Sequence, residues 1–244
     1  MLQKLKDQIV SYAQSCEPHE MCGFVVFEGK QQRFLPCHNV ADDPENFFEI
    51  AAEDYINANH YDGIVAIVHS HPNGAPVLST ADRQMQLQSG LDWWLVCNES
   101  VHKFRYIKPL LGREFVHGES DCYSLFRDAY MLSGVDFPDF ARADDWWHEG
   151  SNLYLDNMAT HGFEQVDEPQ LGDVILMQVG ADVPNHAAIY VGDNWVLHHS
   201  PQRLSKRDLY DGYWLKHTHS IWRYQQWQQL NFTAILNDLA LPSI

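Results

Sequence analysis

His69-Ser70-His71-Pro72, continued through Asn73 to Leu78 and then by Ser79-Thr80-Ala81-Asp82, decides how the first half of the chain is read. The residues before it, Gly63-Ile64-Val65-Ala66-Ile67-Val68, form an apolar β-branched run expected to be a buried strand. Side chains alternate along a strand, so His69 and His71 project to one side and Ser70 to the other. Pro72 ends the strand, and residues 73–78, with Gly74 and Pro76, read as a loop. Ser79 is placed to N-cap a helix whose first turn carries Asp82, three positions on. Two imidazoles and a carboxylate thus converge where a strand ends and a helix begins. Three N/O ligands with an open position is the donor set of a catalytic zinc ion. His217-Thr218-His219 repeats the histidine spacing, but Trp227 and Leu230 stand where Ser79 and Asp82 would fall. It therefore serves as an internal control.

A hydrolytic zinc site also needs a base for its water, supplied from elsewhere in the fold. Glu17-Pro18-His19-Glu20-Met21-Cys22-Gly23-Phe24 lies upstream. With His69, His71, Ser79 and Asp82 this stretch resembles the JAB1/MPN/Mov34 (JAMM) metalloprotease motif: a glutamate, then H-x-H, seven residues and S-x-x-D. The Pro18-x-Glu20-x-Cys22-Gly23 setting selects Glu20 over Glu17. The resemblance covers about the first 108 residues. It implies a helix-covered mixed sheet, a Zn2+ ion held by His69, His71 and Asp82, and catalytic roles for Glu20 and Ser79.

The chain has 244 residues, 45% of them hydrophobic, enough for one large domain or two modest ones. Its net charge is −17. Residues 1–108 carry 8 basic and 14 acidic side chains and the remainder 8 and 19, so neither half offers a basic face for phosphates. Nucleic acid is not an expected partner. Five cysteines at 16, 22, 37, 97 and 122, an odd number without a CxxC pair, read as reduced thiols. No run approaches the about 20 apolar residues of a transmembrane helix, and the N-terminus lacks a signal-peptide apolar core.

Taken in order, Leu2, Leu5, Ile9, Tyr12, Ala13 and Cys16 predict an amphipathic helix stopped by Pro18. Strands are expected over 22–28 and 32–35, then 46–50, with a helix over 52–60. The metal-site strand (64–69) and the helix 80–89 follow, and strands at 92–97 and 101–107 complete the half. Pro109-Leu110-Leu111-Gly112-Arg113 marks the join, giving domains 1–108 and 109–244. In the second domain a helix is expected over 120–133, with Cys122, Leu125, Ala129 and Leu132 on one face. Residues 144–162 have helical spacing broken at Gly150. A strand over 172–179, a hairpin of 186–192 with 195–200, and a last strand over 220–224 come next. The tail from about 225 reads as a helix or a docking arm.

Cys122 opens its helix, where unpaired backbone N–H groups favour a thiolate. If the hairpin strands pair, His186 and His198 meet at one end of the sheet, supplying a base and an orienting group. Asp121-Cys122-Tyr123-Ser124-Leu125, Leu171-Gly172-Asp173-Val174, Asn185-His186-Ala187-Ala188-Ile189-Tyr190-Val191-Gly192 and Val196-Leu197-His198-His199-Ser200 together resemble the NlpC/P60 cysteine peptidase family. Its usual first word is D-C-S-G-L, from which Tyr123 and Ser124 depart. The resemblance implies a papain-like helix-plus-antiparallel-sheet domain over about 112–224. It puts the nucleophile on Cys122, the base on His186 and the orienting residue on His198, with His199 as the rival.

The overall class is α+β in two domains. Their order resembles the phage tail assembly protein K family. That resemblance implies tail-tip proteins as partners, cleavage of peptidoglycan stem peptides at the γ-D-glutamyl–diaminopimelate bond by the NlpC/P60 half, and, for the JAMM half, a zinc-dependent (iso)peptidase acting on a tail or ubiquitin-like β-grasp partner protein or on wall peptides. It also implies synthesis in the host cytoplasm and action from the virion tail tip at the host wall. The competing expectation is a structural tail-tip factor with idle catalytic sites.

Overall fold

The computed structural model describes residues 2–148 and 152–242. The chain divides into two compact units, Met1–Ile107 and Lys108–Ile244.

In the first unit, helix α1 (Leu2–Cys16) buries Leu5, Ile9 and Ala13 along one stripe. That stripe packs on Val25, Ala66, Val68, Trp94 and Val96 of a five-stranded sheet. The strands are β1 (Cys22–Glu28), β2 (Gln31–Cys37), β3 (Ile64–Ser70), β4 (Asp92–Cys97) and β5 (Ser100–Phe104), in the order β2-β1-β3-β4-β5. Helix α2 (Ala52–Ala58) sets Tyr55 edge-on to Phe24 at 4.8 Å. β3 and β4 run parallel and every other neighbouring pair antiparallel. A parallel pair requires a crossover, and α3 (Thr80–Ser89) supplies it. β3 is the central strand, so the His69-x-His71 end is held by a partner on each side.

Residues 46–50 do not form the expected strand. One isolated bridge, Asn39 to Ile50, is found there. The Asn39 side chain takes the hydrogen bonds a ladder would need: its Nδ2 donates to the carbonyls of Glu20 and Phe47, and its Oδ1 accepts from the amides of Ala41 and Glu49. The segment is thereby fixed as a loop that carries Phe48.

In the second unit, α4 (Cys122–Leu132) packs on an antiparallel sheet of β6 (Phe163–Val166), β7 (Val174–Met177), β8 (His186–Gly192), β9 (Trp195–His198), β10 (Lys206–Leu209) and β11 (Thr218–Tyr224), ordered β10-β9-β8-β7-β11-β6. A short helix α5 (Leu153–Met158) lies between α4 and β6, and α6 (Gly212–Lys216) between β10 and β11. The turn from β8 to β9 uses positive φ at Asp193 (48°) and Asn194 (63°), the geometry that matches strand twist in a tight hairpin. The expected break at Gly150 lies outside the described residues. The tail is not a free arm: α7 (Thr233–Leu239) buries Ala234 and Ile235, and Asp238 Oδ2 accepts from the Leu110 amide at 2.8 Å. The α+β class anticipated from the sequence is what the two sheets and their helices show. All five cysteines are free. No helix among the described residues is long and apolar enough to cross a membrane.

Candidate functional sites

His69 pairs with Cys22 of β1 on one side and Leu95 of β4 on the other. Strand alternation puts both imidazoles on one face, with their Nε2 atoms 3.2 Å apart. His69 is fully buried between Phe48, stacked at 4.9 Å, and Trp93, edge-on at 5.2 Å. Past Pro72 the loop folds back until His71 Nδ1 donates to the Ala75 carbonyl at 2.9 Å. A carbonyl only accepts, so the proton of neutral His71 sits on Nδ1 and the Nε2 lone pair faces inward. Glycine at 74 permits this approach, since a Cβ there would lie 2.8 Å from that of His71.

Ser79 and Asp82 close a capping box at the start of α3, the Asp82 amide donating to Ser79 Oγ and the Ser79 amide to Asp82 Oδ2. Ser79 Oγ donates to the same Oδ2 at 2.7 Å. The carboxylate is thereby fixed with Oδ2 3.2 Å from His71 Nε2 and Oδ1 3.6 Å from His69 Nε2. One ligand atom from each of His69, His71 and Asp82 lies within 4.8 Å of the others, so the group could hold a metal ion. Two neutral imidazole nitrogens and one carboxylate are donors that suit zinc. Glu20, just before β1, brings Oε1 to 3.9 Å from His71 Nε2 and is 6% exposed, whereas Glu17 is exposed. A Cβ at Gly23 would come 2.5 Å from the Leu35 carbonyl oxygen, so this glycine lets β2 close on β1 beside Glu20.

Burial pushes the Glu20 carboxyl up to about 7, where it can both take and return a proton near neutrality. Burial also pulls the His69 imidazole down. At His71 burial acts in the same sense, but Asp82, the Ala75 carbonyl and Glu20 outweigh it and the net shift is upward. At Asp82 burial is overcome by the two imidazoles, which hold the carboxyl well below the usual carboxylate range.

In the second unit Cys122 is the first residue of α4, and Asp121 is the N-cap. Asp121 Oδ1 accepts from the Ser124 amide at 2.9 Å, and Ser124 Oγ accepts from the Asp121 amide at 2.7 Å. Asp121 Oδ2 accepts from the Gly118 amide at 2.9 Å and from Arg142 Nε at 2.8 Å. Tyr123 donates its hydroxyl to the Pro138 carbonyl and lies under the Arg142 guanidinium at 4.8 Å. The two departures from D-C-S-G-L thus have local work: Ser124 completes the cap, and Tyr123 pins the segment that carries Arg142.

The thiol of Cys122 lies 3.2 Å from the Tyr154 hydroxyl, on α5. The Tyr154 ring also lines an apolar cavity of about 180 Å³ with Tyr123, Phe126, Phe140 and Trp146. Burial and the Asp121 carboxylate push the thiol up, while the Tyr154 hydroxyl, the Ala187 amide and Arg142 pull the other way without cancelling them. This differs from the thiolate expected at a helix start: desolvation outweighs the amide dipoles.

His186 opens β8 and His198 closes β9, which pairs through Ala188 to His198. Both imidazoles share one face, with His186 Nε2 3.1 Å from His198 Nδ1. Trp214 of α6 packs against both rings, at 5.7 and 4.4 Å. His199, one residue on, is buried edge-on to Phe115 at 5.2 Å and makes no hydrogen bond to His186. His198 Nε2 lies 3.0 Å from Asp208 Oδ2 on β10. Burial and the neighbouring histidines pull His186 down to about 3, so the ring rests uncharged. Cys122 and His186 make no direct hydrogen bond; the thiol turns to Tyr154 instead. The Ala187 amide bears on Cys122, and His186 precedes Ala187 by one residue on β8. In the sequence Tyr154 counts only toward the helical spacing of 144–162, and Asp208 belongs to no motif. The only signal for the latter was the alternation of Lys206-Arg207-Asp208-Leu209 on a strand that follows the histidines.

The family model described as NlpC/P60 family matches residues 112–223, and that for prokaryotic homologs of the JAB domain matches residues 2–107. The chain is 54% identical to the tail tip assembly protein K of Escherichia phage lambda over 196 residues, covering 80% of this chain and 98% of that one. It is 36% identical to the tail tip assembly protein K of Escherichia phage N15 over 234 residues, covering 92% and 96%. A solved NLP/P60 family lipoprotein-like structure from Staphylococcus aureus is 22% identical, with a TM-score of 0.35 over 47% of this chain and 37% of that one, a likeness too slight to build on. With two curated relatives matched across almost their whole length, the chain belongs to the tail tip assembly protein K family, a JAB-like unit followed by an NlpC/P60 unit.

Proposed function

We propose that the chain is a bifunctional tail-tip hydrolase. Its second unit is a cysteine peptidase that cuts peptidoglycan stem peptides, and its first unit is a zinc-dependent (iso)peptidase. The observation that carries the peptidase half is an uncharged His186, oriented by His198, beside the backbone amide that bears on Cys122. Thiol and imidazole rest as a neutral pair, so proton transfer accompanies attack. Cys122 Sγ bonds to the scissile carbonyl carbon as its proton passes to His186 Nδ1. His186 then gives that proton to the leaving amine nitrogen as the C–N bond breaks, leaving a thioester. Water, deprotonated by the same ring, hydrolyses the thioester, freeing a carboxyl group and returning a proton to sulfur.

In the first unit His69, His71 and Asp82 would hold the zinc ion, and Ser79 would keep the Asp82 carboxylate oriented. Bound there, zinc would supply Lewis acidity toward a carbonyl and toward water. Glu20 is poised to take a proton from the attacking water and pass it to the leaving nitrogen. We assign this half a peptide or isopeptide bond in a tail or β-grasp partner protein or in wall peptides. Family membership puts the protein at the virion tail; action at the host wall follows from the stem-peptide reading.

Digestion of purified cell-wall sacculi, run beside metal analysis of the same preparations, tests both halves. Cys122→Ala is expected to abolish stem cleavage and keep zinc. His71→Ala should lose zinc, whereas Glu20→Gln should keep it, and chelator should spare wall cleavage because the two sites share no residue. Wall digestion by Cys122→Ala would sink the peptidase reading, and zinc-free wild type from metal-replete cells would sink the other. The relatives' name favours a second reading, an assembly factor with idle sites. It predicts that tails carrying both Cys122→Ala and His71→Ala infect as well as wild type.

A further inference from the structure

The hydrogen bonds beyond His186 run on through His198 to a carboxylate, and their direction can be worked out from one end. Asp208 Oδ2 receives three groups at once: His198 Nε2 at 3.0 Å, Lys206 Nζ at 2.8 Å and Trp214 Nε1 at 3.2 Å. A carboxylate beside an ammonium and an indole N–H is an acceptor, so the proton of neutral His198 lies on Nε2. Its Nδ1 is therefore a bare acceptor, toward which His186 Nε2 points at 3.1 Å and Ser200 Oγ at 3.2 Å. His186 must then carry its own proton on Nε2. That leaves the lone pair on Nδ1, the one nitrogen through which His186 could then act as a base.

We propose that Asp208 is a positioning residue for the peptidase site, fixing the tautomers of both histidines so that His186 offers an unprotonated Nδ1 to Cys122. The inference deepens the peptidase reading and rests on it. Register supports it: β10 pairs Lys206 with His198, and alternation sets Asp208 on the same face as Lys206, so β10 presents both to the histidine pair. Trp214 packs on the two rings while its indole N–H holds Asp208, which ties the three side chains into one unit. Charged and titratable groups around the pair are Asp208 and Lys206 from β10, His199 just past β9, and Asp121, the N-cap of α4. Of these only Asp208 accepts a hydrogen bond from the relay.

Because all three donors converge on one oxygen, an asparagine with its oxygen in that place can still accept from His198. The test therefore compares Asp208→Ala with Asp208→Asn in the full chain. Imidazole 15N shifts read the tautomers directly, and sacculus digestion reads the rate. Wild type should show His186 protonated on Nε2 with a bare Nδ1. Asp208→Ala should mix the tautomers of both rings and lose at least about tenfold in rate, short of the ~10⁴-fold that follows a wrong tautomer in a serine-protease triad. Asp208→Asn should restore the wild-type 15N pattern and most of the rate, which a purely charge-based or folding role would not. Wild-type tautomers in Asp208→Ala would overturn the proposal, as would failure of Asp208→Asn to repair them in a folded protein. If instead Cys122→Ala still digested sacculi, the peptidase reading would fall while the 15N assignment stood.

Discussion

Arg142→Ala should be among the most damaging single changes in the second unit, and its cost can be worked from the contacts. Asp121 and Arg142 are a buried pair, their side chains 3% and 7% exposed. Arg142 Nε and Nη2 both reach the Asp121 carboxylate, and Nη2 also donates to the Gly118 carbonyl at 3.0 Å. Breaking a buried pair from one side costs about 3–5 kcal/mol, because the remaining charge is left without compensation. Asp121 would keep the amides of Gly118 and Ser124, which places the expected loss near the lower end, about 3 kcal/mol. The loss should shrink to about 1 kcal/mol in an Asp121→Asn background, where no charge is stranded. Urea unfolding followed by tryptophan fluorescence is suitable, since Trp146, Trp147, Trp195, Trp214, Trp222 and Trp227 all lie in this unit. The Cys122 thiol should also rise further, since Arg142 is one of the groups drawing it down. A loss below about 1 kcal/mol, or an equal loss in both backgrounds, would refute the reasoning.

Two further outcomes are expected. Tyr154 is the hydroxyl on the Cys122 thiol, and burial pushes its own phenol well above its ordinary value, so against a thiolate it must be the donor. Tyr154→Phe should raise the Cys122 pKa, slowing iodoacetamide labelling at a fixed pH near neutrality; equal or faster labelling would show that the tyrosine restrains the thiol instead. His186 titrates at about 3 when folded against about 6.5 when unfolded, so between these values the unfolded chain takes up a proton that the folded one refuses. Its contribution to stability is complete above about pH 6.5 and is lost as pH falls toward 3, at most on the order of 5 kcal/mol. The acid arm of a urea-midpoint profile should flatten in His186→Asn, and an unchanged arm would contradict the assignment.

Much of this was legible in the sequence where a motif coincides with a rigid element. The alternation of His69 and His71 follows from β3 being a strand, and the cap from Ser79 preceding α3 by one residue. Residues 46–50 were misread because Phe47, Phe48 and Ile50 look like a strand, while Asn39, seven or more residues away, takes the hydrogen bonds. The Cys122 pKa was misjudged because helix dipoles are visible in a sequence and desolvation is not. Tyr154 and Asp208 escaped for another reason. Each reaches its site from an element with no word of its own, and only pairing β10 onto β9, or α5 near α4, brings it into range.

The cap on α3 has a consequence for how intact sites are judged. Ser79 and Asp82 would be kept by any chain that must start a helix there, whether or not a metal ever binds, because their mutual hydrogen bonds satisfy amides that would otherwise be stranded. Their presence is thus weak testimony to a living reaction. Glu20 is different: its carboxylate makes no hydrogen bond among the described residues, stops no helix, and sits nearly sealed from solvent at a standing cost to folding. A fold freed from catalysis would shed it first, so a phage lineage that abandoned the chemistry should betray itself at position 20 before either histidine changes.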